Sequence, residues 1–278
     1  MALNDNALFL FDNLADSAIS LTASSAEVNM PVSNLQNTQR SLVWRSTASF
    51  AQTFDLTLNG SDYSHIAFVD HNFPQGTTVL VQGWSDAING TNEVFNVQLD
   101  PWSYDTNFAN KLIGASGVYN GPNDGYLQPV FVIDLAGVHT AAYVRIRLDN
   151  TTEYYYQFGR LFVANAWQPT YNMNFGWSMV LNDNSNYKKT AFGNEYGNIL
   201  PNNTELNLTF SWLNNDERDE LAVRRLLNGT RKPIIMQLRP NGTAERMYMS
   251  LYGRLKNLPF SSNFPNTTIS RIQFSEDL

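Results

Sequence analysis

Short runs of β-type residues recur along the first part of the chain, and turn residues separate them. The runs are QTFDLTL (52–58), HIAFVD (65–70), TTVLVQGW (77–84), VFNVQL (94–99), PVFVIDL (129–135), AYVRIRL (142–148) and FGRLFVA (158–164). AYVRIRL alternates between apolar and polar positions, whereas HIAFVD and PVFVIDL contain continuous apolar stretches, which is typical of strands close to a core. The spacing predicts an antiparallel β-sandwich over residues 18–169, after a lead segment over 1–17.

A second β-rich unit is predicted for residues 170–278. The runs YNMNFGWSMVL (171–181) and ELNLTFSWL (205–213) alternate with the period of a strand. This alternation places Trp177, Phe210 and Trp212 in the predicted core of the unit. The fold class expected for the whole chain is therefore mainly β, with a sandwich followed by a smaller β-rich domain that contains one helix.

That one helix is predicted for about residues 214–228, where the period changes to 3.6. Asn214 or Asn215 supplies a cap, and Asn228-Gly229 ends the helix. The predicted apolar stripe consists of Ala222, Val223, Leu226 and Leu227, and the predicted solvent side consists of Glu217, Glu220, Arg224 and Arg225.

Composition excludes several classes of protein. The chain has no cysteine, which excludes disulfides and thiolate metal sites. No stretch approaches the ~20 apolar residues that span a membrane, and the first basic residue is Arg40, so no secretory signal is expected. We therefore expect synthesis in a cytoplasm without membrane insertion.

Charge is distributed unevenly along the chain. Residues 1–110 contain two basic and eleven acidic side chains, a net charge of −9, and residues 111–278 carry the remaining +2 of a total of −7. Such polarity suits copies that stack on one another, and an unevenly charged solvated surface is an equal alternative. The overall acidity opposes binding of nucleic acid.

Candidate catalytic chemistry is sparse. The three histidines are His65, His71 and His139, and the first two are too far apart along one strand to share a metal ion. No nucleophile elbow, metalloprotease motif or phosphate loop is present. Paired carboxylates for glycoside hydrolysis stay open but single out no residue. We expect no enzyme, no catalytic residue, no cofactor and no metal site.

Loop aromatics beside polar groups are the candidates for binding a glycan. Aromatic rings stack on the apolar faces of sugars, and neighbouring carboxylates and amides bind hydroxyl groups. The candidates are Trp84, Asp86, Trp102, Tyr104 and Tyr126, and the Tyr154–Tyr156 triplet is a further group of loop aromatics. Burial of the same rings in a core or interface is the alternative.

A subunit interface is the second use expected for these side chains. The segment 100–128 is a long predicted loop with more aromatics than a free loop usually exposes. The interface candidates are Trp102, Phe108, Tyr119, Tyr126, Arg224 and Arg225. Burial against a neighbouring copy would explain the aromatics.

Several short motifs carry a resemblance to a known family. They are Leu21–Ser25, Pro31–Gln36, Val43–Ser46, His71-Asn72 and Gly159–Phe162. In this order the chain resembles tail-tip or baseplate proteins of bacteriophages with long flexible tails, which contain a discoidin-like (galactose-binding-like) β-sandwich. The resemblance implies that Trp44 lies in the sandwich core and that Arg45 bonds the backbone of the connector, the segment over residues 24–46.

The function that this resemblance implies is structural. The protein would be a virion component that assembles symmetrically at the tail tip with copies of itself and other tail proteins, and it would contact the host surface. The alternative is a lectin-like adhesin that binds a host envelope polysaccharide.

Overall fold

The computed structural model describes residues 6–47, 51–74, 76–99, 101, 130–150, 155–189, 192, 195–198, 200, 202–240, 249–257, 260–264 and 267–276. The predicted loop over 100–128, with the interface candidates Trp102, Phe108, Tyr119 and Tyr126, lies outside the described residues except for Pro101. In the described part of the chain, no helix is long and apolar enough to cross a membrane.

Two antiparallel sheets form the predicted sandwich. One sheet has five described strands, in the order β2 (Ser20–Ala23), β4 (Gln52–Thr57), β9 (Tyr143–Asp149), β6 (Thr78–Trp84) and β7 (Glu93–Leu99). The other has three, in the order β11 (Arg160–Ala164), β5 (Tyr63–Val69) and β8 (Val130–His139). A short pair, β3 (Trp44–Arg45) with β10 (Gln157–Phe158), lies beside them. The prediction of an antiparallel β-sandwich is confirmed.

The core between the two sheets is rich in aromatic rings. Trp44 is fully buried and meets the rings of Phe54 and Phe158 at centroid distances of 4.6 and 5.3 Å. Its indole Nε1 donates a hydrogen bond of 3.0 Å to the carbonyl oxygen of Ser25. The indole therefore ties the 24–46 connector to the sandwich core.

A larger antiparallel sheet follows the sandwich. Its described strands run in the order β12 (Ala166–Trp167), β1 (Leu8–Leu10), β17 (Ile234–Gln237), β18 (Ser250–Asn257), β20 (Thr267–Glu276), β16 (Asn203–Leu213) and β13 (Ser178–Asn182). In addition, β19 (Phe260–Phe264) pairs with β20, and β14 (Asn186–Lys189) forms a hairpin with β15 (Glu195–Asn198). The predicted lead segment thus supplies a strand, since Phe9 lies opposite both Trp167 and Met236.

The three-stranded sheet of the sandwich is buried on both faces. One face joins the sandwich core through residues such as Phe68 and Leu161. The opposite face, which includes Ala67 and Phe162, packs against Leu8, Leu10, Ile235 and Tyr252 of the larger sheet. This two-sided burial explains the continuous apolar stretches in β5 and β11.

The predicted helix is present as α1 (Asn215–Asn228). The side chain of Asn214 accepts a hydrogen bond from the backbone of Glu217, whose side chain accepts one from the backbone of Asn214, which completes a capping box. Gly229 ends the helix with a φ of 63°, a conformation that glycine adopts without strain.

The predicted orientation of α1 is wrong. Val223, Leu226 and Leu227 of the predicted buried stripe are 55%, 83% and 62% exposed. Over the fully described helix, the buried residues are Leu221 and Asn228. Leu221, one position before the predicted stripe, packs toward the sheet. The predicted stripe therefore faces away from the sheet.

The predicted core position of Trp212 is also wrong. Phe210 is buried as predicted and Trp177 is half-buried, but Trp212 is 60% exposed. The pairing of β16 with β20 shifts register between Phe210 and Leu213. This irregularity breaks the strict alternation, so that Leu213 takes the inward position and Trp212 faces solvent.

Candidate functional site

The predicted glycan platform does not form around Trp84. Trp84 is only 4% exposed, because it ends β6 between Tyr143 and Glu93. Asp86 closes the following turn by accepting hydrogen bonds from the backbone and hydroxyl of Thr91 at 3.0 and 3.2 Å. Trp84 therefore belongs to the core. The other candidates, Trp102, Tyr104 and Tyr126, lie outside the described residues.

The opposite end of the sandwich holds a different group of polar and aromatic side chains. Strand β5 ends there at Val69, and β8 begins there at Val130. The same end carries β3 and β10. Four side chains meet at this point, and we call them the Arg45 cluster: Arg45, Asn72, Tyr155 and Gln157.

Arg45 is the centre of the cluster. Its guanidinium carbon lies 4.6 Å from the centroid of the Tyr155 ring, in cation–π geometry. Its Nε and Nη2 donate hydrogen bonds of 2.9 and 2.6 Å to Oε1 of Gln157. These guanidinium contacts are to side chains, whereas the main chain of Arg45 bonds the connector backbone: its carbonyl accepts from the Glu27 N–H at 2.9 Å, and its N–H donates to the Met30 carbonyl at 3.3 Å. Among the described residues, Nη1 of Arg45 and Nε2 of Gln157 have no hydrogen-bond partner.

Asn72 fixes the backbone that carries the ring and the amide. Its Oδ1 accepts a 2.7 Å hydrogen bond from the Gln157 backbone, and its Nδ2 donates one of 3.2 Å to the Tyr155 carbonyl. Its own backbone N–H donates to the Gln157 carbonyl at 3.0 Å. Because three bonds hold this segment, the cluster is preorganised for a ligand.

The chemistry of the cluster suits a polyhydroxylated ligand. The Tyr155 side chain is 44% exposed and offers an aromatic surface. The guanidinium and the amide supply hydrogen-bond donors at its edge. In the sequence, the Tyr154–Tyr156 triplet already marked this segment as a group of loop aromatics. Its partner Arg45 lies more than a hundred positions away, and nothing in the sequence around Arg45 predicts a contact with a glycan.

A second polar group lies where the sandwich meets the larger sheet. A cleft of about 250 Å³ is lined by Asp12, Asn13, Leu14, Asp16, Ser17 and Lys232. Asp16 accepts a 2.5 Å hydrogen bond from Nη2 of the fully buried Arg160, and Lys232 lies 3.4 Å from Asp12. Burial raises the pKa of Asp16, although Arg160 opposes this shift. The charged groups that line this cleft mainly pair with one another or with Arg160, which indicates a structural role.

The side chains of Ser64, His65 and Asp134 lie in series but do not form a catalytic site. Ser64 Oγ lies 2.8 Å from His65 Nδ1, and His65 Nε2 lies 3.8 Å from Asp134. The serine hydroxyl also accepts a hydrogen bond from the Ala166 backbone. Burial lowers the pKa of His65 to about 4 against the opposing effect of Asp134. His65 and Ser64 are both buried, so no substrate reaches them. The described residues contain no cluster of three or more side chains that could hold a metal ion.

The Arg224 and Arg225 interface candidates differ in their surroundings. Arg224 donates to Glu220 at 2.7 Å and to the Asn165 carbonyl at 3.0 Å, so it anchors α1 to its own chain. Arg225 is half-buried in the last turn of the helix. Arg224 therefore stabilises the fold by bonding α1 to its own chain. An interface role for Arg225 stays a prediction.

Comparison with known proteins gives only distant similarity. No protein-family model and no curated protein matches the chain. Among solved structures, the chain is similar to chitosan-binding module 1 from a chitosanase/glucanase of Paenibacillus sp. IK-5, with 18% identity over 55% of this chain and 99% of that module and a TM-score of 0.38. It is also similar to the family 32 carbohydrate-binding module of Clostridium perfringens NanJ, solved with galactose, with 12% identity, coverage of 57% and 99%, and a TM-score of 0.37.

A third similar structure is a Ruminococcus gnavus fucosidase solved with fucose. It has 9% identity and a TM-score of 0.39, and the match covers 56% of this chain and 27% of that chain. None of these three is a phage tail protein, and the tail-tip assignment stays a prediction. Because the likeness is this distant, the function proposed for this chain rests on the geometry of the Arg45 cluster.

Proposed function

We propose that the protein binds carbohydrate through the Arg45 cluster. The observation that carries this proposal is the 44% exposed Tyr155 side chain with the Arg45 guanidinium 4.6 Å from its ring centroid. A sugar ring presents C–H groups on one face and hydroxyl groups around its edge. Tyr155 would contact the apolar face, and Arg45 Nη1 and Gln157 Nε2 would donate to hydroxyl oxygens.

The network around the cluster supports binding rather than only stability. Arg45 places two donors on one neutral amide oxygen, and within the described residues it makes no ion pair with a carboxylate. A half-buried guanidinium with a remaining donor can donate a further hydrogen bond to an oxygen that a ligand supplies. The hydrogen bonds to Gln157 hold the Arg45 guanidinium, with its remaining Nη1 donor, beside the Tyr155 ring.

We further propose that binding takes place within a larger assembly. An exposed apolar face on α1 favours association with another protein surface, because contiguous exposed apolar residues are uncommon on monomers. A phage tail tip that contacts a host glycan would combine both properties, and that setting is supported by the resemblance in the sequence alone.

Substitution of the cluster tests the carbohydrate proposal. The full chain is screened against an array of bacterial polysaccharides, and the best ligand is then measured by isothermal titration calorimetry. We expect Tyr155→Ala and Arg45→Ala each to weaken binding about 10-fold or more, because each removes a stacking surface or a charged donor. Matched controls are Tyr187→Ala and Arg147→Ala, since Tyr187 is 58% exposed, the Arg147 side chain is 51% exposed and pairs with Asp149, and neither belongs to the cluster.

Two outcomes would count against this proposal. If no polysaccharide binds the full chain, the cluster has no carbohydrate function. If a ligand binds and both cluster variants bind as tightly as the controls, the site lies elsewhere on the protein.

A further inference from the structure

The most unusual surface outside the Arg45 cluster lies on α1. Val223, Leu226 and Leu227 are 55%, 83% and 62% exposed, and they occupy one face because the two leucines lie three and four residues after Val223. We call these three residues the apolar ridge. All residues of α1 are described, and the helices of soluble proteins usually place polar side chains at such positions.

Contacts on the other side of α1 fix the ridge outward. Leu221 packs into the core of the larger sheet. The side chain of Glu217 accepts a 2.6 Å hydrogen bond from the Thr170 backbone, and Arg224 donates one of 3.0 Å to the Asn165 carbonyl. The helix cannot rotate its ridge toward the sheet without breaking these bonds. The described residues of this chain leave the ridge uncovered.

Exposed apolar area of this kind favours association. Each fully buried Val or Leu side chain stabilises a contact by about 1.5–3 kcal/mol relative to the exposed state. Three such side chains on one helix face form the centre of an interface, which polar groups then surround.

The charges around the ridge are arranged for a second copy of the same helix. Asp216 and Asp219 lie seven and four residues before Val223, so they share the face of the ridge at its N-terminal side. Arg231, which is exposed and makes no ion pair within the described residues, lies just beyond the C-terminal end of the helix, two residues after Gly229. Asp219 also pairs with Arg218 of its own chain at 2.7 Å, yet the first two turns of α1 carry four carboxylates against this one cation, and Arg224, Arg225 and Arg231 follow them. Two copies of such a surface are complementary when the helices run antiparallel.

We propose that the apolar ridge packs against the same ridge of a second copy, with the two helices antiparallel. The twofold axis passes near residue 225, so the ridges overlap and Asp219 of each copy lies opposite Arg231 of the other. This is an isologous contact, in which one patch is used twice and the assembly closes at two copies. Each dimer then carries two Arg45 clusters, which would raise the avidity for a repeating polymer.

Sedimentation of the full chain over a range of concentrations tests the proposal. We expect a reversible dimer with a dissociation constant of about micromolar order. The double substitution Leu226→Glu and Leu227→Glu should raise that constant by at least about 100-fold, since it places four carboxylates in the contact. The matched control is Val138→Glu, because Val138 is an apolar residue of the sandwich that is 58% exposed. This control should dimerise like the natural chain.

Charge reversal then tests the antiparallel arrangement. Asp219→Arg and Arg231→Asp should each weaken the dimer about 5-fold or more through like-charge contacts, and the two changes together should restore it. Circular dichroism checks that α1 remains folded in each variant. Restoration in the double variant supports the antiparallel contact.

Three results would overturn the proposal. They are a chain that stays monomeric at all concentrations, a dimer that survives the two glutamates, and charge reversals whose effects merely add. A monomer that still binds polysaccharide would leave the carbohydrate function standing, because the Arg45 cluster lies in the sandwich and shares no residue with α1.

Discussion

Trp44→Ala is expected to lower the free energy of unfolding by about 3–5 kcal/mol, the range found for large aromatic side chains removed from cores. Trp44 is fully buried, so its removal leaves a cavity between the two sheets of the sandwich. The rings of Phe54 and Phe158, which now lie at 4.6 and 5.3 Å, would each lose a packing partner.

A lost hydrogen bond adds to the effect at Trp44. The Ser25 carbonyl accepts its bond from the indole at 3.0 Å. With alanine at position 44 that carbonyl has no donor from this side chain, and an unpaired group at a core boundary destabilises the native state further. The variant should therefore lose order in the connector as well as packing in the core.

Urea unfolding followed by circular dichroism measures this prediction, and the chain offers a matched control. Trp212→Ala removes an identical side chain that is 60% exposed. We expect this change to lower the unfolding free energy by less than about 1 kcal/mol. Equal losses for the two tryptophans would show that the indole of Trp44 does not hold the sandwich core together.

The strands of the sandwich could be predicted from the sequence because their signal is local. Alternation in AYVRIRL places Val144, Ile146 and Leu148 inward, and all three are buried in the structure. The helix over Asn215–Asn228 was also predictable, since its capping box lies within four consecutive residues. Such features depend on neighbours in the chain and need no knowledge of the fold.

Long-range pairing was not predictable in the same way. Strand Leu8–Leu10 pairs with residues more than 150 and 220 positions away, and no local pattern encodes those partners. The orientation of α1 has a similar cause. Four apolar residues define the buried stripe that the sequence predicts, but contacts at Thr170 and Asn165 turn Leu221 toward the sheet instead.

The residues of the candidate site also come together only through long-range pairing. Trp84-Ser85-Asp86 has the local composition of a sugar platform, yet strand pairing on both sides buries Trp84. The Arg45 cluster joins Arg45 to Gln157 across 112 positions. Only the folded chain brings the guanidinium, the amide and the ring together, so residue composition could not show that Arg45 and Gln157 accompany Tyr155.

The protein is expected to lose stability as the pH falls from 6.5 to 5, because two buried histidines resist protonation in the native state. His71 is 3% exposed and stacks on Phe73 at 4.4 Å, and burial lowers its pKa from 6.5 to about 3. Burial likewise lowers the pKa of His65 to about 4, with Asp134 opposing the shift. In the unfolded chain both imidazoles take up protons below pH 6.5, whereas in the native state they stay neutral.

The sign and size of this effect follow from proton uptake. The unfolded state binds more protons between pH 6.5 and 5, so the unfolding free energy decreases as the pH decreases, by about 2 kcal/mol for each histidine over this window. The loss continues until the pH reaches the native pKa values, near 4 for His65 and near 3 for His71. At pH 6.5 the unfolded imidazoles are half protonated, so the dependence begins near pH 7.5 and the two histidines add little above that pH.

Urea unfolding at pH 7, 6.5, 6, 5.5 and 5 measures the slope of the unfolding free energy against pH. The substitution His71→Asn removes one of the two histidines that cause this slope. Asparagine does not titrate, and its Oδ1 can accept the hydrogen bond that the Phe73 backbone donates to Nδ1 of His71 at 3.4 Å. We expect the variant to be less stable at pH 7 and to lose about half of the slope. Phe73→Leu is the matched control, since it weakens the same core without removing a titrating group and should keep the full slope. An unchanged slope in His71→Asn, or an imidazole of His71 that titrates near pH 6.5 by NMR, would show that burial does not keep this side chain neutral.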